Sequence, residues 1–229
     1  MRPQMKVMMR IAAACLVLCG SSLAAEPPRQ QPQLRTTDHA DLAPGGTIRI
    51  DRSRGCLSVE AWDQPGVEVT VTRYRNGFHR DAKKDRTDRK LQALKVTVEK
   101  RSDKEVVVTT TGSSWGMALE YRIRAPRDSH IAIRHGKGSV IIDGVEGGIE
   151  ATAKQGDIVA MLPDPGPYAI DARTRLGTIY ADYGDPNHQW YLTGERLEKP
   201  QSAARRVYLR TAIGGIEIQA IPASARPGD

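Results

Sequence analysis

The chain has 229 residues, with 34 Lys and Arg against 27 Asp and Glu, and a formal net charge of +7. This mild excess of positive charge argues against a dedicated nucleic-acid binder, which concentrates far more Lys and Arg on one face. With only one Phe and an aromatic content of 5%, the chain must build its core from small aliphatic side chains.

The N-terminus predicts a secretory signal peptide over residues 1–24. Its first ten residues, MRPQMKVMMR, carry three positive charges and no acidic residue, and an apolar run follows from Ile11 to Leu18. Ser22 and Ala24 supply the small side chains that a signal peptidase needs. The run is too short to span a membrane, which takes about 20 apolar residues. Cleavage would remove three positive charges, which changes the net charge from +7 to +4 and leaves an exported protein of the periplasm or cell envelope.

The cysteines leave one alternative open. Cys19 is followed by small residues, so the N-terminus also resembles in part a bacterial lipoprotein signal, in which this cysteine would carry a lipid anchor. Leu18 stands where that signal prefers a small residue, which favours ordinary cleavage. Because Cys15 and Cys19 leave with the signal peptide, Cys56 has no partner for an intrachain disulfide. We expect Cys56 to be a small buried hydrophobe rather than a reactive thiol.

Three segments of the mature chain differ in composition. Residues 25–44 are rich in Pro, Gln and charge and lack apolar periodicity, which predicts a flexible tether. Residues 45–221 are predicted to form a single β-repeat domain, and residues 222–229 a disordered tail. A tether of this kind would hold the folded domain away from a membrane or wall.

One pattern recurs five times in the folded region: two apolar residues spaced two apart, four intervening residues, a glycine, and two more apolar residues spaced two apart. Period-two alternation predicts strands with one buried face. The fixed glycine predicts a corner in which the backbone needs a positive φ or a close approach to its neighbour. The copies are Ile48, Ile50, Gly55, Leu57, Val59; Ile131, Ile133, Gly138, Val140, Ile142; Ile149, Ala151, Gly156, Ile158, Ala160; Ile170, Ala172, Gly177, Ile179, Ala181; and Val207, Leu209, Gly214, Ile216, Ile218.

The shared order and phase of the copies favour an all-β, β-solenoid-like stack of short strands with glycine corners. Further alternating runs at 67–74, 94–100, 105–110 and 119–126 lack the glycine. We expect these longer strands to pair as antiparallel hairpins that cap the stack. An antiparallel β-sandwich stays open as the alternative, because the period alone does not distinguish the two.

A family resemblance lies in three segments, which read GGTIRIDRSRGCLSVEAWDQPGVEVTVTRY, LEYRIRAPRDSHIAIRHGKGSVIIDGVEGGIEATAKQGDIVAML and TRLGTIYADYG. Together they resemble the DUF4097 family, an adhesin-type β-strand-repeat domain of exported bacterial proteins, over nearly all of residues 45–221. The chain departs from the family pattern in a basic insertion at 73–90 and a long segment at 183–206. The resemblance implies a glycine-cornered β-structure outside the cytoplasm, without an established catalytic site.

The histidines, glycines and aspartates indicate no catalytic residue, metal or cofactor. No histidine spacing matches a metal-ligand pattern, and no glycine cluster matches a phosphate-binding loop. His130 and His135 are predicted to be a solvated pair on opposite faces of one strand. Several aspartates at or beside corners are interpreted as turn residues that bond the backbone. These aspartates are Asp143, Asp157, Asp164 and Asp185.

The strongest local charge feature is the segment 73–90, RYRNGFHRDAKKDRTDRK, with eight basic and three acidic residues. One interpretation is an arm that binds anionic glycans of the envelope. The other is a solvated loop between strands. The basic residues of this arm are Arg73, Arg75, Arg80, Lys83, Lys84, Arg86, Arg89 and Lys90.

Two aromatic sites lie outside the repeats. They are Trp115 in GSSWGMALEY, and Trp190 with Tyr191 in NHQWYLTG. We interpret them as caps over the open ends of the stack, with sugar-stacking surfaces as the alternative.

Three functions stay open from the sequence. The first is a non-catalytic, adhesin-like envelope scaffold that presents a binding surface to a protein or an anionic glycan. The second is a polyanion- or polysaccharide-binding module that uses the 73–90 segment and weakens as salt rises. The third is a β-helix carbohydrate-active enzyme, which would gather Asp157, Asp164 and Arg173 or Arg175 on one exposed face. Self-association through strand edges is also expected at the ends of the stack.

Overall fold

The computed structural model describes residues 32–75, 93–112, 117–164, 166–182, 187–200 and 205–222. The strands are β1 (Pro32–Ala40), β2 (Thr47–Ser53), β3 (Cys56–Trp62), β4 (Val67–Arg75), β5 (Lys95–Ser102), β6 (Glu105–Thr111), β7 (Met117–Pro126), β8 (His130–Lys137), β9 (Val140–Asp143), β10 (Ile149–Gln155), β11 (Ile158–Asp164), β12 (Tyr168–Leu176), β13 (Ile179–Ala181), β14 (Asn187–Trp190), β15 (Glu195–Lys199), β16 (Arg205–Ile213) and β17 (Ile216–Pro222). Across these residues, no helix has the length and apolar character needed to span a bilayer.

Two large sheets share one aliphatic core. Sheet A has eight strands in the order β1-β4-β7-β3-β9-β11-β17-β13. Sheet B has nine strands in the order β14-β15-β12-β16-β10-β8-β2-β6-β5. The inward side chains of both sheets belong to a single buried cluster made mostly of Ile, Val, Leu and Ala. The prediction of an all-β fold with a small-residue core is confirmed.

Each of the five predicted copies forms one unit that crosses from sheet B to sheet A. Its first strand lies in sheet B, its glycine forms the corner, and its second strand lies in sheet A. In chain order the units are β2–β3, β8–β9, β10–β11, β12–β13 and β16–β17. The apolar residues of the pattern are all buried except Ala181, which is half-buried. The two-residue period therefore identified the core-facing positions.

The units stack in register. In sheet B, Ile131 pairs with Ile48 on one side and with Ile149 on the other. In sheet A, Val140 of the second unit pairs with Leu57 of the first unit and with Ile158 of the third. All pairings between repeat units are parallel, so equivalent residues of successive units lie side by side on the same face.

The stack does not follow chain order at its far end. β16 lies between β10 and β12 in sheet B, and β17 lies between β11 and β13 in sheet A. The fifth unit is thus inserted between the third and the fourth, which a solenoid with coils in sequence order would not allow. The long segment before β16 supplies β14 and β15, which extend sheet B beyond β12 with antiparallel pairing.

The strands without the fixed glycine cap the opposite end only in part. β5 pairs antiparallel with β6, and β4 pairs antiparallel with β7, as expected. β6 and β7, however, join the stack parallel to β2 and β3 and add a sixth layer. Sheet B is therefore parallel in the centre and antiparallel at both ends, whereas sheet A is antiparallel only at its β1 end. This mixture contradicts a sandwich made entirely of antiparallel hairpins.

Residues 32–40 are not a tether. They form β1, which pairs antiparallel with β4 from Pro32 opposite Tyr74 to Ala40 opposite Val67. An edge strand of this kind gains backbone hydrogen bonds from its partner without an alternating apolar face, so its sequence resembles a linker. Residues 1–31, with the predicted signal peptide, lie outside the described residues. Pro222, assigned to the tail, is the last residue of β17.

The five corner glycines form a ladder along one edge of the sandwich, named here the corner edge. Their φ angles are all positive, at 101° for Gly55, 119° for Gly138, 121° for Gly156, 139° for Gly214 and 146° for Gly177. A methyl group on any of the last four would collide with the carbonyl oxygen of the preceding glycine in the stack. The amides of the first four each donate a hydrogen bond of 2.7 to 2.9 Å to a backbone carbonyl of the next unit in the stack, and the Gly177 amide donates to the Thr193 carbonyl at 3.2 Å. Glycine is therefore required for the backbone angle and for the close approach.

Replacing Gly156 by Ala should destabilise the protein by more than about 3 kcal/mol, because both the positive φ and the collision with Gly138 oppose the added methyl. Gly45 supplies a matched control, since it has a φ of 66° and nothing within 4 Å of an added Cβ. Gly45→Ala should cost only about 1 to 2 kcal/mol, the strain of a left-handed residue. Urea unfolding of the two variants measures both values, and equal losses would contradict the ladder.

Candidate functional site

Exposed basic side chains line the corner edge on its sheet B side. Arg54 and Lys137 directly precede the corner glycines of their units, and Lys154 and Arg175 stand two residues before theirs. All four side chains are exposed, and none forms an ion pair within the described part of the chain. Because adjacent strands lie about 4.8 Å apart, Arg54, Lys137 and Lys154 follow one another at the spacing of the stack. The fifth unit, which has no cation at these positions, separates Lys154 from Arg175.

A depression of about 810 Å³ lies beside these cations at the first three units. Arg52, Arg54, Arg134 and Lys154 line it together with a single aspartate. Gly136 leaves room for the Arg54 side chain, whose Cγ would lie 3.3 Å from a Cβ at that glycine. Four cations against one carboxylate give this depression a positive potential. We name the exposed cations of the corner edge and its adjoining row the basic edge, which comprises Arg52, Arg54, Arg134, Lys137, Lys154, Arg173 and Arg175.

A β-bulge in the first unit helps to build the depression. The register of β2 against β8 shifts between Asp51 and Ser53. Arg52, at the bulge, has a φ of 59°, an uncommon backbone angle for a residue other than glycine. The bulge places Ser53 inside the sandwich and leaves Arg52 exposed. The depression therefore gains a cation that regular alternation would not supply.

A row of buried polar side chains supports the corners from inside the sandwich. The hydroxyls of Thr174 and Thr211 donate to carbonyl oxygens of two corner glycines at 2.8 and 3.0 Å. In the adjacent units, Ser53 Oγ and His135 Nδ1 lie 2.9 Å apart. Burial lowers the pKa of His135, so the ring is uncharged in the folded protein at neutral pH. These residues hold the corner backbone in place beneath the basic edge.

His135 corrects the prediction of a solvated histidine pair. Its ring is buried between the sheets, whereas His130 is exposed on the outer face of sheet B and accepts a hydrogen bond from the Gly148 amide at 3.0 Å. The opposite faces were predicted correctly, but the five-residue separation gave no sign that one face was the core. Ser53 is also fully buried, so the Ser53–His135 contact cannot present a nucleophile to a substrate.

The residues that a β-helix enzyme would use do not converge. Asp157 bonds the turn backbone as expected, with Oδ1 accepting from the Gly215 amide at 2.7 Å. Asp164 ends β11 in sheet A, whereas Arg173 and Arg175 belong to β12 in sheet B. Within the described ranges no three His, Cys, Asp or Glu side chains are grouped as metal ligands.

The predicted basic arm is described only at its start. Arg73 is 4% exposed and lies against β1, with Nη1 donating to Thr36 Oγ1 at 3.4 Å, and burial lowers its pKa. Its assignment to a binding arm is therefore wrong, because a buried guanidinium cannot meet a polymer. Arg75 ends β4 opposite Met117, at the corner edge. The other basic residues of the arm lie outside the described residues: Arg80, Lys83, Lys84, Arg86, Arg89 and Lys90.

Cys56 is exposed, which corrects the prediction of a buried hydrophobe. It opens β3 just after the first corner glycine and pairs with Glu120 of β7. Partial desolvation of the sulfur, assisted by the Glu120 carboxylate, raises the pKa of the Cys56 thiol. The thiol therefore stays protonated and less nucleophilic than an unperturbed cysteine.

An exposed apolar turn lies at the far end of the corner edge. It begins at Trp190, the last residue of β14, and continues through Tyr191 and Leu192. Trp190 and Tyr191 are 71% and 53% exposed, and Leu192 is fully exposed. A cap would bury its rings against the stack, so the interpretation of Trp190 and Tyr191 as caps is wrong. Trp115 lies outside the described residues.

The turn is fixed to the neighbouring strand β12. Thr193 Oγ1 donates to the Arg175 carbonyl at 3.1 Å, and the Thr193 carbonyl accepts from the Gly177 amide at 3.2 Å. Beside it, Leu176 and Ile213 pair across β12 and β16 and are half-exposed. We name these five apolar residues the apolar tip: Leu176, Trp190, Tyr191, Leu192 and Ile213.

No family model and no curated protein matches the chain. Among solved structures, it is similar to a proposed cell-adhesion protein from Clostridium sporogenes ATCC 15579, with a TM-score of 0.45 and 10% identity over 82% of this chain and 100% of that one. A proposed adhesin from Bacteroides fragilis NCTC 9343 gives a TM-score of 0.29 and 9% identity over 82% and 98% of the two chains. A proposed lipid-binding protein from Parabacteroides distasonis ATCC 8503 gives a TM-score of 0.27 and 10% identity over 82% of this chain and 74% of that one. Scores this low establish neither a fold family nor a function for this chain.

The buried His135 should make stability depend on pH. Its folded-state pKa lies below the ordinary value of 6.5, so the unfolded chain binds the proton more readily. Stability should therefore be full above pH 6.5 and fall as the pH drops from 6.5 towards the lowered folded-state pKa. Urea midpoints measured through this range should fall more for the natural protein than for His135→Thr. The exposed His39 gives the control, since His39→Gln should keep the natural pH dependence.

Proposed function

We propose that the protein is a non-catalytic, exported scaffold of the cell envelope that binds a polyanion along its corner edge. In this proposal the consecutive units β2–β3, β8–β9 and β10–β11 act as a short solenoid-like rod. The observation that carries the proposal is the basic edge, a line of exposed cations without carboxylate partners among the described residues. The resemblance to adhesin-type DUF4097 repeats agrees with a binding role outside the cytoplasm.

The outer face of sheet A provides the contrast that supports this proposal. There the cations are neutralised by carboxylates, as in the pairs Arg122–Glu60 at 2.7 Å and Arg124–Glu68 at 3.4 Å. Ion pairs of this kind satisfy the guanidinium groups within the protein itself. The cations of the basic edge have no such partners in the described structure and are free to bind an external anion.

The spacing of the cations suits an extended polymer. Arg54, Lys137 and Lys154 belong to three successive layers, and Arg175 belongs to the last layer of the stack. At about 4.8 Å per layer, a chain laid along the corner edge meets a cation at most steps. The depression of about 810 Å³ is large enough to receive phosphate, sulfate or carboxylate groups of such a chain. Arginine can bind these groups through two parallel hydrogen bonds.

The predicted signal peptide supports the location. An exported protein meets anionic glycans and phosphate-bearing polymers in the periplasm and envelope, where nucleic acid is not the expected partner. The lipoprotein alternative through Cys19 would place the same surface on a membrane. The arm at 73–90 starts at the corner edge where β4 ends, so its remaining basic residues are proposed to assist the basic edge.

Dextran sulfate tests the proposal as a soluble model polyanion. The natural protein should bind it with an affinity that falls by at least about tenfold between 50 and 200 mM salt, because binding releases counterions. The triple variant Arg54→Ser, Lys154→Ser and Arg175→Ser should weaken binding by about tenfold or more at low salt. Fluorescence anisotropy of labelled dextran sulfate measures both effects.

Two further variants make this test specific. Lys100→Ser, Arg101→Ser and Lys104→Ser remove the same charge from exposed positions around the β5–β6 turn and should leave binding nearly unchanged. Arg80→Ser, Lys83→Ser and Lys84→Ser test the arm. If the basic-edge variant and the β5–β6 variant lost the same affinity for dextran sulfate, binding would depend only on the net charge of the protein and not on the basic edge. Loss in the arm variant alone would move the site to residues 73–90 and contradict the proposed edge.

A further inference from the structure

The apolar tip is an unusual feature for the surface of an exported protein. Its members Leu176 and Ile213 are neighbours in the register of β12 and β16, and the turn with Leu192 is bonded to β12 through Thr193. The turn and the Leu176–Ile213 pair are therefore held next to each other by backbone hydrogen bonds rather than scattered over the surface. Contiguous exposed apolar groups on soluble proteins mark interaction surfaces.

The tip lies at the end of the basic edge. Thr193 accepts its hydrogen bond from Gly177 and donates to the Arg175 carbonyl, so a cation of the basic edge stands at the base of the turn. Arg173 lies two residues earlier on the same strand and is also exposed. The surface thus combines an apolar projection with flanking positive charge.

The chemistry of the tip disfavours a sugar-binding surface. One face of the Trp190 ring stacks on His188 at 4.4 Å between centroids, and the Tyr191 hydroxyl donates to Gln189 at 3.0 Å. The fully exposed Leu192 offers neither a stacking face nor a hydrogen bond to a sugar. A binding surface for a second protein copy would need about 20–30 residues a side, far more than the tip provides.

An anionic lipid bilayer satisfies each part of this surface. Trp and Tyr side chains favour the membrane–water interface, and an exposed Leu gains by entering the acyl region. Arg and Lys near the surface are attracted to anionic headgroups. We propose that the apolar tip inserts into the outer layer of an anionic bilayer while Arg173 and Arg175 bind its headgroup phosphates. This inference rests on the proposed function, because the basic edge supplies the attraction.

Vesicle flotation tests this inference with the chain from Ala25 onwards. Vesicles of phosphatidylglycerol and phosphatidylethanolamine should bind the natural protein, whereas vesicles of phosphatidylcholine alone should bind it at least about tenfold more weakly. The double variant Trp190→Ser and Leu192→Ser should lose at least about tenfold in affinity for the anionic vesicles while keeping its binding to dextran sulfate. Leu34→Ser, which removes an exposed Leu from β1 at the opposite end, should bind like the natural protein.

A second readout reports insertion directly. Brominated lipids should quench tryptophan fluorescence in the natural protein and should not do so in Trp190→Phe, because this ring enters the bilayer. Persistent quenching in Trp190→Phe would overturn the assignment of the tip.

The failures of the two proposals are distinguishable. Binding of dextran sulfate without binding of anionic vesicles would overturn the membrane inference and leave the polyanion function standing. A natural protein that binds neither dextran sulfate nor anionic vesicles would overturn both the polyanion function and the membrane inference. Binding of a neutral polysaccharide that disappears in the Trp190→Ser and Leu192→Ser variant would overturn the membrane inference in favour of a sugar surface. A natural dimer that this variant converts to a monomer in light scattering would overturn it in favour of a second copy.

Discussion

The close approach of one corner backbone to the next is the constraint on which the rest of the structure depends. The corner backbones lie so close together that a Cβ would be 2.0 to 2.2 Å from a neighbouring carbonyl oxygen, so each unit has a glycine at its corner. Once the corners stack, both strands of each unit are held in register with those of the next. The aliphatic side chains then form continuous layers between the sheets, which no single unit could bury alone.

The same constraint arranges the surface. Because register repeats from unit to unit, residues at equivalent positions before each glycine fall into rows along the corner edge. Cations that are far apart in sequence are thereby brought to one edge in two rows, with Arg54 and Lys137 directly before their glycines and Lys154 and Arg175 two residues before theirs. The proposed binding role follows from this arrangement rather than from a deep pocket or a group of catalytic side chains.

Sequence reasoning identified the repeat, because a strict two-residue period and a fixed glycine report local backbone geometry. It missed the order of the stack, since similar units carry no local signal of which neighbour each will choose. It missed β1, because an edge strand takes hydrogen bonds from its partner and needs no alternating apolar face. Arg73 looked like any other cation of its segment, and only the packing of β1 over β4 showed that it is buried. The basic edge could not be predicted from the sequence either, because its residues lie far apart in the chain and come together only when the strands pair.

Amide hydrogen exchange tests the stacked corners most directly. The amides of Gly138 and Gly156 donate to carbonyls of the next layer deep within the stack, at 2.9 and 2.7 Å. They should exchange only when the whole domain unfolds, with a free energy of opening equal to the global stability, while amides of the edge strand β1 exchange through smaller openings. Corner amides that exchange as fast as those of β1 would contradict the account, because the ladder would then not hold the units together.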